Sequence, residues 1–256
     1  MGWATPRNLR LMNRSKECLV RGLLFLRSKP KWFKISIGLI CFALGLNLAN
    51  VLLPVSLEPK QQARIVVAEN GLPLRKFADE QGVWRYPVQI ENLSPLYIDI
   101  LLNYEDRYFY HHFGINPIAL VRAAWQWGRY GRIISGGSTI SMQVARLVRP
   151  TRRTVWGKLL QILTALQLEW RYSKQEILTY YINHAPFGGR IEGVEAASLF
   201  YFGYSAKKLT YAQAALLAVL PQSPTRNRPD RHPEVAKQAR NKVLRRMRGF
   251  GEINET

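Results

Sequence analysis

From Ile35 to Leu57 the chain carries no charged side chain, and this run follows directly on a strongly basic block. Its centre, Ile35 to Leu53, is 19 residues long and apolar except for Ser36, Asn47 and Asn50. A helix needs about 20 such residues to cross the hydrocarbon core of a bilayer. The apolar core of a cleaved signal peptide is usually only about 7–15 residues long. Residues 1–34 hold nine Lys/Arg against Glu17 alone, and flanking positive charge stays on the cytoplasmic side. The pattern predicts a basic cytoplasmic tail over 1–34, a single-pass anchor over 35–57, and a domain beyond Pro59 outside the inner membrane. Cys18 and Cys41 both fall before or inside the span. The outer part therefore has no cysteine for a disulfide framework or a cysteine zinc site.

The whole chain has 37 Lys+Arg against 17 Asp+Glu, a net charge of +20, and 47% hydrophobic residues. That hydrophobic share excludes a disordered polycation. The charge outside the tail is unevenly placed. Between Asp106 and Glu169 there is no acidic residue, yet Arg107, Arg122, Arg129, Arg132, Arg146, Arg149, Arg152, Arg153 and Lys158 all lie there. Trp125, Trp127, Tyr130, Ile133 and Ile134 are interleaved with them, a composition suited to a membrane–water interface. The field is read as aimed at phosphates close to a bilayer, with no share assigned to nucleic acid. Four histidines without an HExxH pair leave no histidine metal site.

Residues 58–93 read as a short β and linker segment. ARIVVA and the residues after Leu72 flank Asn70-Gly71, a hairpin turn signal, and VWRYPV at 83–88 reads as a third strand. From Ser94-Pro95 onward the signals are helical, over a domain expected to span 94–249 with a tail at 250–256. Tyr97, Leu101, Tyr104 and Tyr108 form one stripe at helical spacing. Gly136-Gly137 breaks the chain and Ser138 is expected to cap a helix running towards Val148. A further helix covers about 155–171, with Leu159, Ile162, Leu163, Leu166 and Trp170 as its apolar stripe. Ser173-x-x-Glu176 and Thr210-x-x-Gln213 are capping-box patterns. Pro221 ends the second of these helices, and a last basic helix runs from Pro233 to Gly249. The expected fold class is mainly α, with a small β segment at its start and one transmembrane helix before it.

Three places could carry chemistry. Glu105-Asp106 ends an aromatic helix, where partial desolvation and the helix C-terminus both raise a carboxylate's pKa towards general-base range. An ordinary helix-end acid paired with Arg107 is the plainer alternative. GGST with Arg146 and Arg149 behind it could hold an anion at a helix N-terminus, or be a routine capped loop. Lys158, Gln161, Ala165 and Glu169 line up along one helix face, which a solvated surface explains adequately. YINHAPFGG and GVEAASLFYFG look structural. Ser28-x-x-Lys31 and Ser205-x-x-Lys208 match SxxK, but no KTG or SxN partner of a transpeptidase appears.

Taken together, these segments resemble the family 51 peptidoglycan glycosyltransferases, the N-terminal module of class A penicillin-binding proteins, and look nearest to the 1C branch. The resemblance runs from about Ala63 to Met247. E-D-x-x-F-x-x-H-x-G is met by Glu105, Asp106, Phe109, His112 and Gly114. GGSTITQQ reads Gly136-Gly137-Ser138-Thr139-Ile140-Ser141-Met142-Gln143. A motif I-L-x-x-Y-L-N with a following F-G is met by Ile177, Leu178, Tyr181, Asn183, Phe187 and Gly188. A-x-L-A-x-L-P-x-x-P is met by Ala215, Leu217, Ala218, Leu220, Pro221 and Pro224.

The resemblance implies a lysozyme-like, mostly helical fold with a lipid-facing segment near 115–134. It implies polymerisation of lipid II onto a polyprenyl-diphosphate-linked glycan, with inversion to a β-1,4 bond. Glu105 matches the general base, and Ser138, Gln143, Arg146 and Lys158 match positions around the donor diphosphate. Asp106, Phe109, His112, Thr139 and Asn183 match further substrate-cleft positions. Membrane lipids and other cell-wall synthesis proteins are the implied partners. The family pattern R-K-x-x-E-x-x-x-A-x-x-L-E departs here: Gly157 stands for the arginine and Gln161 for the second cleft glutamate. The family admits a divalent cation (Mg or Mn), against which the neutral Gln161 argues. Two rival readings follow from the same residues: a lytic muramidase with Glu105 as general acid, and a scaffold that binds lipid-linked precursor with little or no turnover.

Overall fold

A computed structural model describes residues 30–61, 63–67, 69, 73–131, 137–152 and 154–249. The basic tail up to Lys29, the Asn70-Gly71 turn, Arg132, Ile133, Ile134, Gly136, Arg153 and the tail from 250 lie outside the described residues. The chain divides into two compact units, Met1–Pro54 and Val55–Thr256.

In the first unit, α1 spans Lys31–Leu52, about 33 Å at 1.5 Å per residue. It stops there, short of residue 57, because Pro54 disfavours helix in the residue before it. An 18-residue window has a mean hydropathy of 2.1, so the helix is long and apolar enough to cross a membrane. Two of its polar residues bond back to the helix itself. Ser36 Oγ donates to Trp32 O at 3.0 Å and Asn47 Nδ2 to Ala43 O at 2.9 Å. Internal satisfaction of that kind is what hydrocarbon surroundings demand.

The second unit is mainly helical. β1 (Ile65–Val67) pairs antiparallel with β2 (Pro73–Lys76). β3 (Trp84–Arg85) is the short third strand expected in VWRYPV, and it joins a second sheet rather than the hairpin. It runs parallel to β5 (Ile191–Glu192), which also pairs with β4 (Pro186–Gly188). The reason is Arg85, whose buried guanidinium reaches Glu192 at 2.8 Å and Asp79 at 3.2 Å. Removing one partner would leave a buried charge uncompensated, so the set locks the strand to the helical body.

Eight helices follow among the described residues: α2 (Pro95–Glu105), α3 (Pro117–Tyr130), α4 (Ile140–Val148), α5 (Val155–Arg171), α6 (Lys174–His184), α7 (Val194–Tyr201), α8 (Tyr211–Val219) and α9 (Pro233–Gly249). Both expected capping boxes are present, Ser173 with Glu176 and Thr210 with Gln213. α8 is buried from Ala214 to Val219, and its alanines allow close packing between α2 and α9. α4 packs against α5 and α6, contributing the buried Ile140, Met142, Val144 and Ala145. On α2, Tyr97, Leu101 and Tyr104 are buried, whereas Tyr108 lies beyond the helix end and is exposed. The helix ends at Glu105, and that ending builds the site.

Candidate active site

Glu105 is the last residue of α2, and Asp106 has already left helical geometry. The two side chains part there. Asp106 turns inward, accepts from the Ile140 amide at 2.9 Å and pairs with His112 Nε2 at 2.9 and 3.0 Å. A carboxylate on the first free N–H of α4 satisfies a helix-end donor and complements the dipole. Glu105 stays at the partly open side. Gln143 Nε2 of α4 donates to its Oε2 at 2.8 Å, and Gln222 Nε2 donates to its Oε1 at 2.6 Å.

Burial raises the Glu105 pKa above the ordinary carboxylate range, and the two amide donors pull it back in part. Nearby Asp106 adds to the rise, while Arg246 of α9 opposes it. The Arg246 guanidinium lies 5.3 Å over the Tyr104 ring. Behind Gln143, the buried Tyr181 hydroxyl donates to Oε1 of its amide at 3.2 Å. Gln143 must therefore present its NH₂ to Glu105. Neutral amides surround the carboxylate where a base needs a high proton affinity.

α5 supplies the cationic side. The sequence reading treats Lys158, Gln161, Ala165 and Glu169 as a solvated face and the leucines as the inner one; the structure reverses this. Gln161 and Ala165 are buried and the Glu169 side chain is only 4% exposed. Leu159 and Trp170 are 50% and 45% exposed. The polar stripe faces α4, which is why it is inside. Lys158 Nζ donates to Ser138 Oγ at 2.7 Å and to Gln161 Oε1 at 3.0 Å, and Gln161 Nε2 donates to Met142 O at 2.5 Å. Burial, then the nearby Arg146, lowers the Lys158 pKa. Among the described residues neither Lys158 nor the exposed Arg146 has a carboxylate partner within ion-pair distance.

Ser138 is thus not the helix cap expected from sequence. Thr139 is: its Oγ1 accepts from Met142 N at 3.1 Å and donates to Gly114 O at 2.6 Å. This leaves Ser138 free to hold Lys158. Phe109 and His112 join the same inner layer. Lys174 lies 4.5 Å over the Phe109 ring, donates to His112 O at 2.6 Å and pairs with Glu169 at 2.7 Å, and Ser141 also bonds Glu169. Asn183 sits apart from Glu105, bonding both backbone groups of Val88 and the Thr179 carbonyl. A Cβ at Gly157 would come within 2.1 Å of Arg152 O, so this backbone excludes an arginine there.

The transglycosylase family model matches residues 70–248. The chain belongs to that family. It is 57% identical over 199 residues to penicillin-binding protein 1C of Escherichia coli K12, covering 78% of this chain and 26% of that protein. It is 39% identical over 220 residues to penicillin-binding protein 1A of Aquifex aeolicus, covering 85% and 30%. A crystal structure of penicillin-binding protein 1A from Haemophilus influenzae matches 77% of this chain and 20% of its own, at a TM-score of 0.42 and 22% identity. The chain thus spans about a quarter to a third of the length of the curated relatives it matches.

Within this unit Gln143 bonds Glu105, and Ser138 and Gln161 both bond Lys158. Gln222 was not singled out from sequence. It lies at an unspecified position between Pro221 and Pro224 of a motif, and its partner is 117 residues away. The residues present do not fit a divalent cation. Gln161 Oε1 already accepts from the Lys158 ammonium, both Glu105 oxygens receive amides, and no group of three or more His, Cys, Asp or Glu that could hold a metal occurs among the described residues.

Proposed function

We propose that the chain is a peptidoglycan glycosyltransferase that polymerises lipid II, with Glu105 as general base. The observation that carries this is a carboxylate of raised pKa held by the neutral amides of Gln143 and Gln222. The acceptor 4-hydroxyl gives its proton to Glu105 while its oxygen bonds to the donor's anomeric carbon. The bond from that carbon to the lipid diphosphate breaks on the opposite face, and the diphosphate leaves with the electron pair. Lys158 and Arg146, with no acidic partner among the described residues, stabilise that departing charge. Ser138 and Gln161 aim the Lys158 ammonium. Asp106, Phe109, His112 and Thr139 act as the support that holds α4 against the end of α2.

The unpaired cations favour this reading over a muramidase, which has no diphosphate to neutralise. Gln161 gives the scaffold reading its one foothold, since a neutral amide replaces a family carboxylate. In the proposed arrangement α1 anchors the chain, with the basic tail in the cytoplasm and Val55–Thr256 on the outer face. The deciding experiment incubates the detergent-solubilised chain with lipid II and separates products by length. Glycan polymer is expected; shortened glycan from preformed peptidoglycan, or no product at all, would overturn the reading.

A further inference from the structure

Cations reach the neighbourhood of Glu105 from two directions. On one side Gln143 of α4 donates to Oε2, and Arg146 follows it on the same helix with Lys158 near by. On the other side Gln222 donates to Oε1 and also bonds the Tyr104 hydroxyl. There Arg246 of α9 lies 5.3 Å over the Tyr104 ring. Burial raises the pKa of both Glu105 and Tyr104, and Arg246 opposes the rise in each, so its charge is felt at the carboxylate. The proposed chemistry uses Arg146 and Lys158 for the departing diphosphate and gives Arg246 no role.

α9 is the helix that brings Arg246 there. It buries Ala236, Val243 and Met247 and packs against α8 and α2. Its 17 residues hold six Lys/Arg against Glu234 alone. Lys242 stands one turn before Arg246 on the same edge of the helix, and both are exposed. Lys242 has no carboxylate within ion-pair distance among the described residues. A solvated face accounts for Lys237 and Arg245, which helical spacing turns outward. Arg246 differs, because it is seated on the ring of the residue that precedes Glu105.

A saccharide reacting at Glu105 spans both sides of that carboxylate. Apart from its diphosphate, the negative groups of a lipid-linked peptidoglycan precursor are the carboxylates of its peptide. Resting on the proposed function, we infer that Arg246 and Lys242 form a second anion-binding subsite of the cleft, which takes a peptide carboxylate of the substrate and so positions the sugar beside Glu105. A guanidinium fork matches a carboxylate with two parallel N–H···O bonds. Arginine has five N–H donors, so resting on a ring does not exhaust them. Lys242 adds a point charge at the rim. The contact is the same before and during transfer, so it lowers KM rather than raising kcat.

The test uses the full chain in detergent with two forms of lipid II, one with free peptide carboxylates and one with them converted to amides. For the wild type, amidation should raise KM about tenfold with kcat nearly unchanged. Arg246→Gln combined with Lys242→Gln should raise KM for the free form by a similar factor and abolish the difference between the forms. A merely structural role would impair both forms equally, and that result would overturn the inference. A second measurement needs no turnover. The soluble peptide-bearing disaccharide, without lipid or diphosphate, is titrated into the Glu105→Gln chain and followed by NMR. Adding the two α9 substitutions should weaken its binding about tenfold. Inorganic pyrophosphate should not displace it. Displacement would assign Arg246 to a diphosphate, and no binding at all would return it to the solvated face; either sinks the subsite. Carboxylate-dependent binding by a chain that makes no polymer would remove the functional reading and keep this one.

Discussion

Glu105 and Asp106 are neighbours in the chain, yet one carboxylate receives two side-chain amides at the open side of the cleft while the other receives a histidine ring and a helix N-terminal amide in the interior. The difference separates chemistry from support. Asp106 pairs with a group that fixes the loop after α2 and with the first amide of α4. Glu105 meets only neutral donors, and burial holds its pKa up. A group whose folded pKa lies above its unfolded value stabilises the fold below the unfolded pKa. That contribution is lost as pH rises through the folded pKa. At neutral pH the ionised Glu105 is therefore a cost to the fold.

The largest expected effect breaks the pair at Glu105. Glu105→Gln should lower polymerisation by about 10²–10⁴-fold while leaving the melting temperature unchanged or higher, because the buried charge is gone. A steep fall in melting temperature would place Glu105 with the support. The converse experiment is Asp106→Ala. It leaves the His112 ring and the Ile140 amide without their acceptor, which should cost about 3 kcal/mol, or roughly 6–12 °C for a domain of this size. Calorimetry of the solubilised chain reads this directly, and an unchanged transition would remove Asp106 from the support.

Much of the support was legible because its signals are local. The two capping boxes, Pro95 at a first helical turn and the 155–171 helix all depend on residues within four positions of one another. The inner face of α5 was not legible. Helical spacing gives two stripes but does not say which one faces in, and hydrophobicity chooses the leucines. Here α4 lies against the polar stripe, so Gln161, Thr164 and Gln167 are buried and Leu159 and Trp170 are exposed. Ser138 is the better intrinsic cap of two adjacent hydroxyls, yet it is engaged by Lys158, 20 residues on, and Thr139 caps the helix. β3 itself was legible but its partner strand was not, for the same reason, since Glu192 is 107 residues away. Gln222 shares that cause: an amide between two prolines carries no local sign that a carboxylate waits for it.

The next effect concerns the ammonium held by Ser138 and Gln161. Lys158→Met should lower polymerisation about 10–100-fold and cost about 1 kcal/mol of stability, because the buried Gln161 carbonyl loses its donor. With wild-type protein the pH–rate profile should be narrowed from both sides. Its acid limb rises because Glu105 must be ionised and burial opposes that. Its alkaline limb falls because Lys158 must be charged and burial, with Arg146, opposes that too. Lys158→Arg should move the alkaline limb upward and leave the acid limb in place, since a guanidinium stays charged throughout. An alkaline limb that ignores this substitution would assign it to another group.

The smallest effect is the most direct probe of what distinguishes this chain from the family pattern. From the sequence alone, Gln161→Glu restores a family carboxylate and is expected to preserve or raise activity. The structure adds an opposing contact. Gln161 uses both halves of its amide, the carbonyl towards Lys158 and the NH₂ towards Met142 O at 2.5 Å. A carboxylate strengthens the first contact and sets two oxygens against each other in the second. Losing that donor inside α4's packing should cost about 1–2 kcal/mol of stability, while the new ion pair should raise the Lys158 pKa and carry the alkaline limb up with it. Polymerisation at neutral pH should change little, because Lys158 stays charged there with either side chain. A stability loss with an unmoved alkaline limb would mean that the new carboxylate had turned away from Lys158. Unchanged stability would mean that Met142 O had found another donor, and that the amide at 161 does not hold α5 to α4.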